Sequence, residues 1–231
     1  METTLTVEST EQLAPEALLH AVLRAKAGAR PCMTCSFQAE DMIVLHLLRR
    51  RIPRVAVLFL ETGYHFKETY EFRDRITQEW SLNLVNVFPQ KTVAQQESEY
   101  GTLFRTDPTK CCQLRKVGPL LTALEPYEIW FTGLRREQSP TRQNLKKIEQ
   151  HRLPSGKTLL KVNPLADWTW TQVWEYCAGN QLSHLPQYDQ GYLSIGCQPC
   201  TAIPDDASNP RSGRWGGKKL ECGIHTFSEQ V

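Results

Sequence analysis

Two pairs of cysteines, at positions 111–112 and 197–200, restrict the structures open to this chain more than any other part of its sequence. Adjacent cysteines rarely form an unstrained disulfide, because the bridge needs a Cα separation and Cβ directions that neighbouring positions do not supply. They also fit one tetrahedral zinc ion poorly, since neighbouring helical side chains point about 100° apart. A multi-iron cluster with several binding corners accepts that divergence. The two pairs supply the four thiolates that a [4Fe–4S] cluster requires, so the sequence predicts a cluster protein.

The composition narrows the class of protein. With 231 residues, the chain has enough material for one large α/β domain or two small ones. A net charge of +2 and a pI near 8.1 are too mild for a nucleic-acid-binding surface. The longest strongly apolar run, residues 55–60, is too short to span a bilayer, and the N-terminus lacks a secretory signal pattern. Eight cysteines without an export signal indicate reduced thiols, metal or catalysis, so we expect a soluble, cytoplasmic enzyme.

Short apolar runs alternate with helical patterns along the first part of the chain. The runs predict strands at residues 32–37, 55–60, 82–88 and 129–134, and the helical patterns predict helices at 13–27, 39–48, 66–80 and 110–124. This alternation predicts an α/β fold, a mostly parallel sheet with flanking helices. Later, the pattern weakens to an edge strand at 158–162 and a helix at 167–177. We expect residues 1–204 to form an α/β domain that holds the cluster and 205–231 a flexible C-terminal tail.

Three loops directly follow predicted strands and are candidates for a binding site. They span residues 36–41, 61–64 and 133–139. In parallel sheets, ligands bind outside the carboxyl ends of the strands. The loops therefore predict a ligand site at that edge, and Ser36 is a candidate substrate contact. The alternative is that they are ordinary turns and helix caps.

Basic residues are concentrated in three places. Arg115 and Lys116 each follow one of the tandem cysteines by four residues, so on a helix each cation would lie over one cysteine. The other two groups are Arg135, Arg136 and Arg142, and then Arg211, Arg214, Lys218 and Lys219. Arginine suits two-point binding of phosphate or sulfate, and these groups predict a small polyanion covered by a mobile lid. The alternative is that they are solvated surface charges.

Cys222 lies in a different setting from the cysteines of apolar segments. It lies between Glu221 and Gly223 in the cationic tail, where neighbouring cations favour a thiolate, and is a candidate nucleophile. Cys32, Cys35 and Cys177 occur in apolar patterns and are interpreted as packing residues, with a redox role for Cys32 and Cys35 as the alternative. His225 is expected to face solvent, although a hydrogen bond to the Cys222 thiolate is the other possibility.

Seven motifs occur in a recognisable order along the chain. They are Ser36-Phe37-Gln38-Ala39-Glu40-Asp41, Glu61-Thr62-Gly63, Lys110-Cys111-Cys112-x-x-Arg115-Lys116, Asn163-Pro164-Leu165-Ala166-Asp167-Trp168-Thr169, Gly191-Tyr192-x-Ser194-Ile195-Gly196-Cys197-x-Pro199-Cys200, Arg211-x-Gly213-Arg214-Trp215 and Glu221-Cys222-Gly223-Ile224-His225. In this combination they resemble the bacterial-type assimilatory adenylyl-sulfate (APS) reductases of the phosphoadenylyl-sulfate (PAPS) reductase family. Gln38 and Glu61 depart from the glycine and aspartate that the family often has there.

The resemblance implies a fold, a cofactor and a reaction. The fold would be adenine-nucleotide α-hydrolase-like, and a [4Fe–4S] cluster would be bound by Cys111, Cys112, Cys197 and Cys200. Cys222 would be the nucleophile, and the phosphosulfate would contact Lys116, Arg142, Arg211 and Arg214. The substrate would be adenosine 5′-phosphosulfate, with thioredoxin or glutaredoxin as electron donor. Relatives without the four cysteines generally prefer PAPS, so the presence of these cysteines in this chain favours APS. Use of PAPS and assembly into a homo-oligomer are left open.

Two other functions agree with parts of the sequence. An ATP-using pyrophosphatase of the same fold needs a glycine-rich SGGxDS-type loop, which Gln38-Ala39-Glu40-Asp41 does not provide. A non-enzymatic zinc- or cluster-binding module would not need Cys222 in a cationic tail.

Overall fold

A six-stranded sheet forms the centre of this computed structural model, which describes residues 5–206 and 209–225. The strands are β1 (Pro31–Thr34), β2 (Ala56–Leu60), β3 (Asn83–Val87), β4 (Ile129–Phe131), β5 (Ile148–Arg152) and β6 (Thr158–Val162). They lie in the order β3-β2-β1-β4-β6-β5, and only β5 is antiparallel to its neighbour. The predicted mostly parallel sheet is therefore confirmed.

The described helices flank this sheet. They are α1 (Val7–Glu11), α2 (Pro15–Ala25), α3 (Ala39–Arg49), α4 (Lys67–Trp80), α5 (Val93–Tyr100), α6 (Leu103–Thr106), α7 (Pro108–Cys112), α8 (Gly118–Leu124) and α9 (Trp170–Gly179). None of them combines the length and the apolar character needed to cross a membrane. Helix α9 begins three residues later than predicted, because Thr169 and Gln172 cap each other's backbone N–H groups.

Both faces of the sheet are covered, as continuous apolar strands require. In β1, Cys32 packs into the core on one face with Trp130, while Met33 packs into the core on the other face with Phe131. Cys35 and Cys177 are buried in the second of these cores. The structure thus confirms that the three cysteines pack in apolar cores, with Cys32 on one face of the sheet and Cys35 and Cys177 on the other.

The sheet extends further than the sequence predicted. Strand β6 was expected at an edge, but it lies between β4 and β5. The edge strand β5 was missed because its sequence, Ile-Glu-Gln-His-Arg, has too few apolar residues to show a strand pattern. Its backbone pairs along five residues with β6, so pairing and not apolar content defines this strand.

The described part of the C-terminal tail packs against the domain. Arg214 pairs with Thr201 through an isolated β-bridge, and Trp215 is buried beside Cys112, Cys197 and Cys200. The flexibility of the tail stays a prediction, as does its separation from residues 1–204. Positions 207–208 and 226–231 of the predicted tail lie outside the described residues.

Candidate active site

A cavity of about 420 Å³ lies where β1, β2 and β4 end at their carboxyl edge. These strands are neighbours in the sheet, and the loops after β1 and β4 line the cavity, whereas no residue of the predicted loop 61–64 after β2 does. The volume is within the range of small-molecule sites. All predicted catalytic and substrate-binding residues line this cavity: Ser36, Lys116, Arg142, Arg211, Arg214 and Cys222. The structure brings them together, and their individual roles stay predictions.

The loop after β1 is fixed by a buried carboxylate. The backbone N–H and the hydroxyl of Ser36 both donate to Asp41 Oδ2 at 2.6 Å. Gln38 donates to Ser36 Oγ and accepts a hydrogen bond from the Ile195 backbone N–H, which ties this loop to the cysteine-bearing segment. Burial raises the pKa of Asp41 to about 6, although both Ser36 hydrogen bonds act to lower it. Ser36 is therefore held by Asp41, a residue whose role the sequence did not reveal.

One region of the cavity wall, here the paired cluster, consists of Glu40, Arg135, Glu137 and Gln138. Arg135 donates from Nε and Nη2 to Glu40 Oε1 at 3.0 and 2.9 Å, and from Nη1 to Glu137 at 2.9 Å. Gln138 donates a further hydrogen bond to Glu40 at 3.0 Å. The side chains of Arg135 and Glu40 are only 4% and 7% exposed, so this cation is buried and fully compensated.

Some of the predicted basic residues are therefore bound within the protein and are not available to a ligand in the cavity. Arg135 belongs to a buried ion pair, and Arg136 lies outside the cavity wall, where it binds Glu11 and the Leu145 carbonyl. Lys218 and Lys219 are also absent from that wall and donate to the carbonyls of Arg105 and Pro108. The seven basic residues of the second and third groups were predicted to face one polyanion. This prediction is wrong, because carboxylates and backbone carbonyls bind several of them.

A second region of the wall, here the cationic cluster, consists of Lys116, Arg211 and Arg214. Within the described residues, no carboxylate lies within 4.0 Å of Lys116 or Arg214. Arg214 is 5% exposed and donates to the Cys200 carbonyl and to Ser194 Oγ. Burial, followed by the charge of Arg142, lowers the pKa of Arg211 to about 10. This crowding of positive charge makes the region suited to an anionic ligand.

Cys222 lies beside the cationic cluster. Lys116, Arg211 and Arg214 are each close enough to Cys222 for electrostatic attraction. Burial favours the neutral form of Lys116, but the sulfurs of Cys197 and Cys222 outweigh it and raise its pKa. The cysteine is partly buried. A nucleophile at this place would meet a ligand bound by the three cations.

Glu221 is a functional candidate that sequence reasoning missed. Both of its carboxylate oxygens accept from Arg142, at 2.9 Å from Nε and 2.7 Å from Nη2. Thr141 donates to it at 2.9 Å, and Arg211 Nη2 lies 3.7 Å away. Burial alone raises the pKa of Glu221, but Arg142 outweighs burial and holds the pKa below its ordinary value. The guanidinium of Arg142, predicted to hold phosphosulfate, therefore already holds a carboxylate.

His225 is half-buried, which contradicts the expectation that it faces solvent. Its ring stacks on Trp130, with centroids 5.4 Å apart and an angle of 18° between the planes. Its Nδ1 atom is buried and has no hydrogen-bond partner among the described residues. Burial lowers the pKa of His225 well below its ordinary value, so the neutral ring is favoured. The ring thus anchors the tail on strand β4.

The four predicted cluster ligands surround a second, smaller cavity next to the first. Cys111, Cys112, Cys197 and Cys200 are each between 7% and 9% exposed. Lys116 and Arg214 line both cavities. The Cys197 thiol donates to Thr62 Oγ1 at 3.3 Å, and the Gln96 amide donates to Cys111 Sγ at 3.9 Å. Residues 86 positions apart in the chain are therefore brought to one sulfur-rich pocket beside Cys222.

The predicted helix over 110–124 contains an irregular turn. Helix α7 ends at Cys112, Gln113–Val117 forms a π-helical turn, and α8 follows. Arg115, expected over Cys111, is 3% exposed and donates to the carbonyls of Thr62 and Lys91 and to the Gln96 side chain. The wide turn lets Lys116 face the cavity while Arg115 binds the loop after β2, and π-helical turns often occur at functional sites.

The sulfur-rich pocket offers four buried thiols as possible metal ligands. Among the described residues, no three His, Cys, Asp or Glu side chains converge as a single ion requires. The corners of a cluster hold sulfurs farther apart than one ion does. Burial and then the neighbouring cysteines raise the pKa values of Cys111 and Cys200 to about 11, so without metal both would keep their protons. Four buried thiols around one small cavity match the number that a [4Fe–4S] cluster needs.

Sequence and structure comparisons give the family and the fold of this chain. A family profile described as "Phosphoadenosine phosphosulfate reductase domain" matches residues 30–203. The chain is 44% identical over 220 residues to a phosphoadenosine 5′-phosphosulfate reductase of Gloeobacter violaceus, covering 93% of this chain and 90% of that protein. It is 43% identical over 195 residues to an adenosine 5′-phosphosulfate reductase of Bacillus thuringiensis, covering 83% of this chain and 82% of that protein.

A solved structure gives the fold. The crystal structure of the PAPS reductase from Candida auris superposes with a TM-score of 0.73 at 21% identity, covering 87% of this chain and 100% of that chain. This likeness confirms the adenine-nucleotide α-hydrolase-like fold that the motifs implied. The profile and the relatives each cover most of the chain, and it therefore belongs to the phosphoadenosine phosphosulfate reductase family.

Proposed function

We propose that this protein reduces adenosine 5′-phosphosulfate to sulfite and AMP in the cytoplasm, through a sulfonate held on Cys222. Family membership gives the class of enzyme, an oxidoreductase acting on a sulfur group. The observation that carries the proposal is the position of Cys222 beside Lys116, Arg211 and Arg214 on the wall of a nucleotide-sized cavity. An anionic thiolate attacks an anionic substrate only where positive charge offsets their repulsion.

The two regions of the cavity wall suit the two parts of this substrate. The cationic cluster, Lys116, Arg211 and Arg214, would bind the phosphosulfate, because guanidinium groups bind such oxyanions at two points. The paired cluster contains one guanidinium and two carboxylates and so offers no free cation to an oxyanion, which leaves this region to the uncharged adenosine part. Ser36, held by Asp41 at the end of β1, would contact the nucleotide next to the sheet edge.

The proposed chemistry has two stages. The Cys222 thiolate forms a bond to the sulfate sulfur, the bond from that sulfur to the bridging phosphate oxygen breaks, and AMP leaves with the electron pair. An external dithiol, thioredoxin or glutaredoxin, then attacks the Cys222 sulfur and releases sulfite. The second thiol of the donor resolves the mixed disulfide and returns Cys222 as a thiolate. The dithiol is oxidised to a disulfide, and its two electrons account for the reduction of sulfate to sulfite.

Cys111, Cys112, Cys197 and Cys200 would hold the [4Fe–4S] cluster. When bound, the cluster supplies electrostatic and structural support to the neighbouring site. Lys116, like Arg214, joins the two places, because it lines both the sulfur-rich pocket and the substrate cavity. Its ammonium group would orient the substrate sulfate toward Cys222.

Use of PAPS is the second candidate. It is supported by the Gloeobacter violaceus relative, which is named a PAPS reductase and is as similar to this chain as the APS reductases are. The four cysteines favour APS by the resemblance described above. Steady-state rates with the two nucleotides, compared on one preparation, decide between the candidates.

The covalent adduct tests the proposed reaction. Incubation with APS and no reductant should leave one sulfonate on Cys222 and release one AMP per chain. Mass spectrometry of the C-terminal peptide measures the adduct, and added thioredoxin should then release sulfite. Cys222→Ser should bind nucleotide yet form no adduct, because a serine hydroxyl is scarcely ionised near neutral pH. An adduct on Cys32 or Cys35, or turnover by Cys222→Ser, would overturn the mechanism.

Iron content tests the cofactor. Protein purified without air should be brown and contain about four irons per chain. Cys197→Ser should lose iron and activity together, whereas Cys177→Ser, a buried cysteine outside the sulfur-rich pocket, should keep both. Active, colourless protein with one zinc per chain would refute the cluster.

A further inference from the structure

The backbone just before Cys222 is held at two neighbouring points. Arg211 donates from Nε to the Leu220 carbonyl at 2.9 Å. Arg142 binds the Glu221 carboxylate through two parallel hydrogen bonds of 2.9 and 2.7 Å. The side chains of Arg142 and Glu221 are 11% and 12% exposed, so this ion pair is largely shielded from water. Charge-assisted pairs with this two-bond geometry fix direction as well as distance.

The backbone just after Cys222 is also held. Gly223 has a φ of +94° and lies against Val117, where a Cβ atom would come within 3.3 Å of the valine Cγ2. Ile224 packs against the apolar core that contains Cys32 and Trp130, and the His225 ring stacks on Trp130. Cys222 thus lies between two anchors. The polar anchor is the Arg142–Glu221 pair before it, and the apolar anchor consists of Ile224 and His225 after it.

Most of the hydrogen-bonding capacity of the Arg142 guanidinium is already used within the protein. Its Nη1 donates to Gln138, and its Nε and Nη2 donate to Glu221. A phosphosulfate could bind Lys116 and Arg214 without breaking this pair, since neither has a carboxylate partner within the described residues. Arg211, the third cation, already lies 3.7 Å from Glu221. The arrangement favours a structural use of the Arg142–Glu221 pair over direct contact of Arg142 with substrate.

We propose that Glu221 is a positioning residue, which acts through Arg142 and Thr141 to hold Cys222 in line with a ligand bound by the cationic cluster. The inference rests on the proposed function for the role of Cys222. Because the anchor belongs to the residue immediately before the nucleophile, loss of the pair should free the sulfur from its place without removing any cation from the cationic cluster.

Hydrogen exchange of the ligand-free holoenzyme tests the anchor independently of the reaction. In Glu221→Gln, amides of residues 218–225 should exchange at least about fivefold faster than in the parent, because a charge-assisted hydrogen bond contributes more than a neutral one. Glu175→Gln, the same change at an exposed position on α9, is the matched control and should leave exchange unchanged. Arg142→Gln should accelerate exchange equally, and the double variant should exceed neither single variant, since both remove one interaction.

Single-turnover kinetics then test positioning. At saturating APS, the rate of sulfonate formation on Cys222 should fall about tenfold or more in Glu221→Gln, while AMP affinity changes less than about threefold. Tighter AMP binding with an unchanged rate would show instead that Glu221 competes with the substrate anion, and would overturn the proposal. Unchanged exchange of residues 218–225 would overturn it as well. A parent enzyme that forms no adduct refutes the proposed function, and the exchange comparison still decides whether the anchor exists.

Discussion

The paired cluster and the cationic cluster line the same cavity but balance their charges differently. In the paired cluster, Arg135 has two carboxylates at 3.0 Å or less, supplied by Glu40 and Glu137. In the cationic cluster, Lys116 and Arg214 have no carboxylate within 4.0 Å anywhere in the described chain. One set of charges is satisfied by the fold itself. The other is left for a ligand, so the two regions should respond differently to substitution.

This difference indicates which residues of the site contribute to the stability of the fold and which contribute to ligand binding. A buried ion pair is costly to break, because the remaining charge loses its partner in a place that water does not reach. A cation supported only by carbonyls, hydroxyls and sulfurs contributes its largest interaction when an anion arrives. Substitutions in the paired cluster should therefore reduce stability, and substitutions in the cationic cluster should reduce affinity for anionic nucleotides.

The largest effect is expected in the paired cluster. Glu40→Gln should lower the free energy of unfolding by about 3–5 kcal/mol, because it leaves the Arg135 guanidinium without its buried partner. Glu137→Gln is the matched control, since that carboxylate is 52% exposed and its loss should cost about 1 kcal/mol or less. Urea unfolding measures both. Equal stabilities of the two variants would remove the distinction between the clusters.

A somewhat smaller effect concerns Asp41 and pH. Its pKa in the folded chain is about 6, above the ordinary 3.8, so protonation stabilises the fold fully below pH 3.8 and this contribution disappears as the pH rises through 6. Asp41→Asn has no proton to lose, and should therefore gain on the parent by up to about 3 kcal/mol between pH 4 and pH 7. Unfolding curves at several pH values check this, and a difference independent of pH would contradict it.

The smallest effect is expected in the cationic cluster, and it concerns binding. Lys116→Ala, Arg211→Ala and Arg214→Ala should each weaken APS and AMP binding by about 1.5–3 kcal/mol, while adenosine binding stays unchanged. Lys218→Ala, an exposed cation outside the cavity, should change neither. Calorimetric titration with the three ligands separates charge recognition from nucleoside recognition. A parallel loss of adenosine affinity would mean that these residues support the cavity's shape instead.

Much of the sheet could be predicted because its strands are short apolar runs with helices between them. Strands β1 to β4 lie where those runs occur, and the loops that follow β1 and β4 line the cavity as topology requires. Strand β5 could not be predicted, because its polar residues Glu149, Gln150 and Arg152 give no alternating pattern and its strand character comes from pairing with β6. Caps such as Thr169 decide where helices begin, and they shift boundaries by a few residues.

The reactive residues of the site could be predicted from the sequence, but the partners of its charged side chains could not. Residue type and spacing single out Cys222 and the four clustered cysteines, because few environments accept such thiols. The partner of a cation is invisible in a linear sequence, since Arg135 meets Glu40 across 95 positions and Arg142 meets Glu221 across 79. The stacking of His225 on Trp130 depends on the same long-range packing. Charge counts therefore overestimated how many arginines were available to a substrate.

The π-helical turn at Gln113–Val117 makes this region sensitive to length as well as to residue type. Such a turn holds one residue more than a regular helical turn. Deleting one residue within it would let the segment close into an ordinary α-helix while the parts before and after it keep nearly the same relative orientation, because about four α-helical residues turn through the same angle as five residues of the wide turn. Leu120 and Leu124 are fully buried and fix the later part in the core, so Cys111 and Cys112 would stay beside Cys197 and Cys200. The change would fall on the side chains inside the turn, and Arg115 and Lys116 could no longer both keep their present directions.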